Sequence, residues 1–292
     1  MNNIIDNLQK EFRQGSILNK LIYINIAAFI FLSIINVLSF MFQFNNYLFL
    51  ERFYLPANII TLSKQPWSII SYMFLHNGIL HILFNMIWLH FAGKLFLQYL
   101  NSQQLITTYI LGGISGGLIF IIAYNYIPVF QQLSSSASAV GASASVLAIM
   151  IAISTYVPNY AVQFPFFGFI KLKYIAIFII TIDLLSIPNS NAGGHIAHIG
   201  GALFGYIYII QMKKGKDYSI SFFNLLNFII NTFKRKKKLN TKHRRPKSDY
   251  DFNSEKSLKQ KEIDKILEKI ANSGYDSLSK NEKAILFNAS KK

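Results

Sequence analysis

The sequence of 292 residues contains no cysteine, which excludes disulfides, thiolate metal sites and a cysteine nucleophile. Charge is also scarce: 14% of residues are Asp, Glu, Lys or Arg, and only 13 are acidic, whereas a soluble globular chain carries about 25% charged residues. A cleavable leader is not expected, because the first apolar run begins near Leu21, is long enough to span, and lacks a small-residue cleavage site. What fills the chain instead is apolar side chain, 52% of all residues with 15% aromatic. Several of the apolar runs approach the ~20 residues that a bilayer-crossing helix needs, so the composition reads as a polytopic membrane protein.

Six spans are expected: Leu21 to Phe42, about Gly78 to Leu95, Leu105 to Tyr126, Ser138 to Val157, Tyr174 to Leu185 with flanking residues, and Gly194 to Met212. Residues 1–20 mix apolar side chains with Lys10, Arg13 and Lys20, which suits an amphipathic segment on the cytosolic surface. Residues 43–75, with Pro56, Pro66 and Trp67, are too apolar for a solvated linker and are expected partly within the interface. The third span carries Gly112, Gly113, Gly116 and Gly117, two overlapping G-x-x-x-G faces suited to close helix contact. Lys10, Arg13, Lys20, Lys94, Lys171 and Lys173 fall on one side together with the basic tail, while Arg52 and Lys64 fall on the other. By the positive-inside rule both termini are cytosolic.

The formal net charge is +16, most of it after residue 212. A basic tail joined to membrane spans points to anionic lipid on the cytosolic side and away from nucleic acid. Tyr218 to Phe233 carries Ser221, Asn224, Asn227 and Asn231 as a polar stripe, which favours an interfacial helix over a short seventh span. Residues 213–260 therefore read as a basic interfacial helix and flexible linker. Residues 261–292 read as a helical hairpin of unknown partner. Ile263, Ile266, Leu267 and Ile270 follow a helical period, Gly274 ends that helix, and Ser279 to Glu282 matches a capping box for the next.

Polar side chains within the spans concentrate in three places. Ser143 and Ser145 lie among Gly141, Ala142 and Ala144; His81 and Asn85 stand four apart on one helix face; and His198, Gly201 and Gly205 share another. A glycine face that carries a histidine allows a neighbouring helix to come close, and if that neighbour is the start of the fourth span, His198 meets Ser143. A histidine within reach of a serine is the minimum nucleophile–base pair. Bland readings exist for each: small-residue packing for the serines, backbone hydrogen bonding for His198, interhelical bonding for His81 and Asn85. A metal site from His76, His81, His195 and His198 is conceivable, but there is no H-E-x-x-H pattern, and Asp183 lies near a helix end.

Together the three patterns resemble the rhomboid family of intramembrane serine proteases, whose members carry G-x-S in the fourth core helix, A-H-x-x-G-x-x-x-G in the sixth and H-x-x-x-N in the second. Here they read Gly141-Ala-Ser143, Ala197-His198-Ile-Gly-Gly201-Ala-Leu-Phe-Gly205 and His81-Ile-Leu-Phe-Asn85. The resemblance covers roughly residues 20–212. It implies an all-α bundle of six transmembrane helices over residues 21–212, to which the sequence adds the small cytosolic hairpin. It also implies Ser143 as nucleophile and His198 as general base, a dyad with no acidic third member. His81, Asn85 and the Ser143 backbone N–H would stabilise the oxyanion, with Gly141, Gly201 and Gly205 packing the site. No metal or other cofactor is expected, and the partners implied are transmembrane segments of other proteins. The hairpin resembles an extension found on some bacterial members, and the resemblance implies a bacterial plasma membrane as the location. Four positions depart from the family: Ala144 replaces a glycine, Trp67-Ser68 replaces Trp-Arg, Leu147 stands where an aromatic usually supports the histidine, and no Glu occurs near residue 97. A catalytically silent membrane-binding relative is the alternative. A transporter would show paired repeats or broken helices, which the sequence lacks.

Overall fold

The computed structural model describes residues 15–164, 168–189, 191–233 and 249–289. It divides into two compact units, residues 1–233 and 234–292. The first unit is a helical bundle. Helix α1 (Ile17–Phe42) is capped by Ser16, whose hydroxyl accepts from Asn19 N–H. It touches the bundle mainly through Leu18, Leu21 and Asn25 near its start. There the Asn25 amide donates to Tyr109 Oη at 3.1 Å and to the Leu21 carbonyl at 2.8 Å. The expected amphipathic segment over 1–20 falls largely outside the described residues.

The connection over 43–75 is not one helix but four short pieces and a strand: α2 (Tyr47–Glu51), β1 (Leu55–Pro56), α3 (Ile59–Lys64), α4 (Ser68–Ser71) and a 3₁₀ turn over Tyr72–Phe74. Pro56 and Pro66 interrupt any longer helix. The backbone and side chains of this loop find partners in the bundle. Tyr72 Oη donates to the Gly113 carbonyl at 2.5 Å, and Tyr109 Oη donates to the Met73 carbonyl at 2.9 Å. Trp67 Nε1 donates to the Arg52 carbonyl at 2.9 Å, a bond within the loop itself.

Helix α5 (Ile79–Tyr99) and α6 (Ser102–Tyr126) follow, the latter opened by a reciprocal capping box between Asn101 and Gln104. After α7 (Pro128–Gln131), strand β2 (Ser138–Ala139) pairs antiparallel with β1, Leu55 opposite Ala139. The fourth span expected from Ser138 therefore begins five residues later, as α8 (Ser143–Tyr156). Gly141, at φ +136°, makes the turn between strand and helix, a conformation that side-chain-bearing residues rarely adopt. Non-helical backbone at membrane depth is tolerable where it is buried in protein and hydrogen-bonded, which the β1–β2 pairing provides.

Strands β3 (Ala161–Phe164) and β4 (Gly168–Lys171) form a hairpin that the sequence did not announce. It leads into α9 (Leu172–Ser186) and then α10 (Ala192–Lys213). Helices α1, α5, α6 and α10 are each long and apolar enough to cross a membrane; α8 and α9 have 14 and 15 residues. The centre of the bundle is α6, α8 and α10, drawn together by glycine. A β-carbon on Gly112 would stand 2.3 Å from Ala148 Cβ, and one on Gly200 would stand 2.8 Å from Gly116 Cα. Both G-x-x-x-G faces of α6 are in use. Gly112 and Gly116 meet α8 and α10, while Gly113 and Gly117 meet Ser145, Met73, Leu55 and Tyr72.

Helix α11 (Tyr218–Phe233) has 16 residues and is joined to the bundle through Asp217. That carboxylate accepts from Gln104 Nε2, Tyr208 Oη and Ser219 N–H at 2.8–2.9 Å. Burial pushes its pKa upward, and these hydrogen bonds outweigh it, holding the group below the usual carboxylate range. In the second unit, α12 (Asp249–Ser273) starts before the expected hairpin boundary at 261, so residues 249–260 are helical and not linker. Their mostly polar composition, with Glu255, Lys256, Lys259 and Gln260, suits a solvated helix, with Gln260 bonded to Asp264 one turn on. Helix α13 (Lys280–Ala289) has the anticipated capping box: Ser279 N–H donates to Glu282 Oε2 at 2.7 Å, and Glu282 N–H donates to Ser279 Oγ at 3.4 Å.

Candidate active site

Ser143 is the first residue of α8. The first intrahelical bond there is Val146 N–H to the Ala142 carbonyl at 2.9 Å, so the N–H groups of Ser143, Ala144 and Ser145 have no acceptor within the helix. They carry the positive end of the helix dipole. Two residues on, Ser145 is fully buried, with its hydroxyl against Met73 Sδ at 3.9 Å and under Gly113. The two serines thus separate: Ser145 packs helices, whereas Ser143 lines a cavity of about 470 Å³.

His81, Asn85 and His198 line the same cavity. His81 is the third residue of α5. Its Nδ1 accepts a long hydrogen bond from Asn77 N–H at 3.5 Å, which places the proton of the neutral ring on Nε2. That nitrogen faces Gly141: a β-carbon added there would lie 2.9 Å from His81 Nε2 and 3.5 Å from Ser143 Oγ. Glycine is therefore required at 141 twice over, by its dihedral angle and by the space His81 occupies. The Asn85 amide donates to the His81 carbonyl at 2.8 Å, which uses one of its two N–H bonds and leaves the second for the cavity.

Helix α10 brings His198 to the site by lying directly on the α8 backbone. A β-carbon on Gly201 would stand 2.2 Å from the Ala144 carbonyl oxygen, and one on Gly205 would stand 2.2 Å from that of Ala148. The shared face of His198, Gly201 and Gly205 is thus packed against the start of the fourth span, as the sequence pattern requires.

One expectation is corrected. An acidic side chain does reach the histidine: Asp183 of α9 takes His198 Nδ1 at 2.9 Å and His195 Nδ1 at 2.7 Å, both on Oδ1. Asp183 is the single acidic residue between Glu51 and Asp217, and an isolated acid in an apolar segment is itself a functional signal. Its nearness to the helix end hid that signal, because an acid there can equally face water. The four histidines weighed as a metal set do not converge. His76 and His81 pair edge-to-face with ring centroids 5.1 Å apart. Among the described residues, the group able to hold an ion is Asp183, His195 and His198, whose ligating atoms lie within 4.8 Å of one another.

The remaining lining is mostly apolar, with Phe84 and Trp88 from α5, Val146 and Leu147 from α8, and Ile179 from α9, beside the polar Asp183 and Asn191. Leu147, in place of the usual aromatic, is part of this wall. A half-buried serine at a helix start and a histidine on a glycine face, lining one largely apolar cleft between helices of membrane-spanning character, are the features of an integral membrane protein with a serine and a histidine in one cavity. The particular family follows from comparison. Residues 63–214 match the Rhomboid domain, and the chain belongs to the rhomboid family. Residues 248–292 match a family of unknown function, DUF6576. The chain is 30% identical over 164 residues to RHOMBOID-like protein 12, mitochondrial, of Arabidopsis thaliana, a stretch covering 53% of this chain and 48% of that protein. It is 25% identical over 165 residues to RHOMBOID-like protein 1 of the same plant, covering 55% and 39%. The match thus spans about half or less of each relative's length.

Proposed function

We propose that the protein is an intramembrane serine endopeptidase that cleaves transmembrane segments of other proteins. The observation that carries this reading is the convergence of Ser143, His198, His81 and Asn85 on one apolar-walled cavity. Ser143 Oγ attacks the scissile carbonyl while His198 Nε2 takes its proton and then passes it to the departing amine. A water molecule, deprotonated by the same nitrogen, releases the acyl group and restores Ser143. The negative charge that develops on the carbonyl oxygen meets His81 Nε2–H, the free amide N–H of Asn85 and the Ser143 backbone N–H. Donors fixed in a water-poor cavity act strongly on such charge.

Helix length supports a site below the membrane surface. A 14-residue helix is about 21 Å long, against a hydrocarbon core of about 30 Å. With Tyr156 at one interface, Ser143 lies roughly 10 Å inside the other. The positive-inside pattern assigns that nearer face to the outside and both termini to the cytosol. A substrate helix must unwind to present its carbonyl, so small or helix-weakening residues are favoured at the cleaved bond. The test is cleavage of a transmembrane substrate in liposomes by wild type, Ser143→Ala and His198→Ala. Each substitution is expected to abolish turnover with the fold intact, because the two groups act as one unit. Undiminished turnover in either variant would refute the assignment, and absence of turnover in wild type would favour a silent membrane-binding relative.

A further inference from the structure

We infer that Asp183 is the positioning residue of this site, holding His198 in the one tautomer that can act as a base. The inference rests on the reading of His198 as general base. An ionised carboxylate only accepts hydrogen bonds, so the 2.9 Å contact of His198 Nδ1 with Asp183 Oδ1 requires the proton on Nδ1. In the neutral ring that leaves Nε2 as a lone pair, available to take the proton of Ser143. Without the carboxylate nothing opposes the other tautomer, in which Nε2 carries the proton and the ring is useless as a base. The same carboxylate stabilises the imidazolium that forms when the proton arrives.

Two features make Asp183 a fixed support. Its side chain is 9% exposed, and a buried carboxylate is tolerated only when its lone pairs are satisfied. His195, one turn before His198 on α10, supplies the second bond to the same oxygen at 2.7 Å. The carboxylate is thereby gripped from two points on one helix. His195 does not line the cavity, so it acts on the carboxylate and not on substrate.

The test combines a structural and a kinetic reading. In full-length protein labelled with ¹⁵N-histidine, His198 is expected to carry its proton on Nδ1 in the neutral wild-type site, and on Nε2 in Asp183→Asn. In Asp183→Asn, kcat for a transmembrane substrate should fall on the order of 10²- to 10⁴-fold, with KM changed by less than about threefold. Asp183→Glu should recover part of that loss, and His195→Ala, which removes one of the two holds on the carboxylate, should lower kcat by clearly less than Asp183→Asn does. A proton on Nε2 of His198 in the wild-type protein overturns the proposal whether or not the variants fold. So does wild-type kcat in Asp183→Asn, or a His195→Ala variant as impaired as Asp183→Asn. Turnover abolished by chelator and restored by zinc would assign the three side chains to a metal and also overturn it. The tautomer measurement does not depend on cleavage, so failure of the protease reading and failure of this one are told apart.

Discussion

Replacing Gly201 with alanine asks how closely the histidine-bearing helix must lie on the serine-bearing one. The new β-carbon would stand 2.2 Å from the Ala144 carbonyl oxygen and 2.9 Å from its carbon. An ordinary carbon–oxygen contact is about 3.3 Å, so the shortfall is roughly 1 Å. The obstacle is backbone of α8, which cannot rotate away as a side-chain end can, and α10 must move. Overpacking of this kind costs about 1–3 kcal/mol. Gly201 lies one turn from His198, so the displacement reaches the imidazole almost undiminished, and a misplacement near 1 Å can cost about 10² in rate. The assay pairs thermal unfolding in detergent with turnover in liposomes. Gly201→Ala should lower both, and Gly205→Ala, another turn away, should destabilise similarly with a smaller loss of turnover. Gly78→Ala is the control, since nothing lies within 4 Å of its added carbon and its φ of 177° is ordinary extended backbone. Wild-type unfolding temperature and turnover in Gly201→Ala would refute the argument that the glycine face sets the helix separation.

Other outcomes follow from the same geometry. His81→Ala and Asn85→Ala should each lower turnover by about 10- to 1,000-fold, the range for losing one oxyanion donor among several; a loss of stability alone, with normal turnover per folded molecule, would make that residue a helix-packing group. In the second unit, Ser279 N–H, Lys269 and the Ser279 hydroxyl hold the Glu282 carboxyl down at about 2. A depressed acid stabilises above its unfolded pKa and loses that contribution as pH falls through the folded value. Protection of α13 amides should therefore decline from about pH 4.5 to 2 in wild type, and in Glu282→Gln it should already be reduced at neutral pH, with no such step. Truncation after Lys238 should leave cleavage of a purified substrate in liposomes nearly unchanged, because the tail forms a unit of its own; a large loss with the fold intact would couple it to the catalytic unit.

The sequence by itself determined the membrane class, the order of the spans and the pairing of chemistry with glycine. Those features are local: hydropathy over one helix length, and residues three, four or seven apart on one face. The capping box of α13 was legible for the same reason. Only the tertiary structure decided where α8 begins, because the pairing of β1 with β2 joins residues more than 80 positions apart, Leu55 with Ala139. The G-x-S resemblance had singled out Ser143, and packing added the physical difference: Ser145 is buried against Met73, whereas Ser143 lines the cavity. Asp183 was visible as a lone acid, but whether it met water or a histidine depended on how α9 lies against α10. No periodicity within α9 encodes that, since one carboxylate on one turn has no pattern until its neighbour supplies the imidazoles at 2.7 and 2.9 Å.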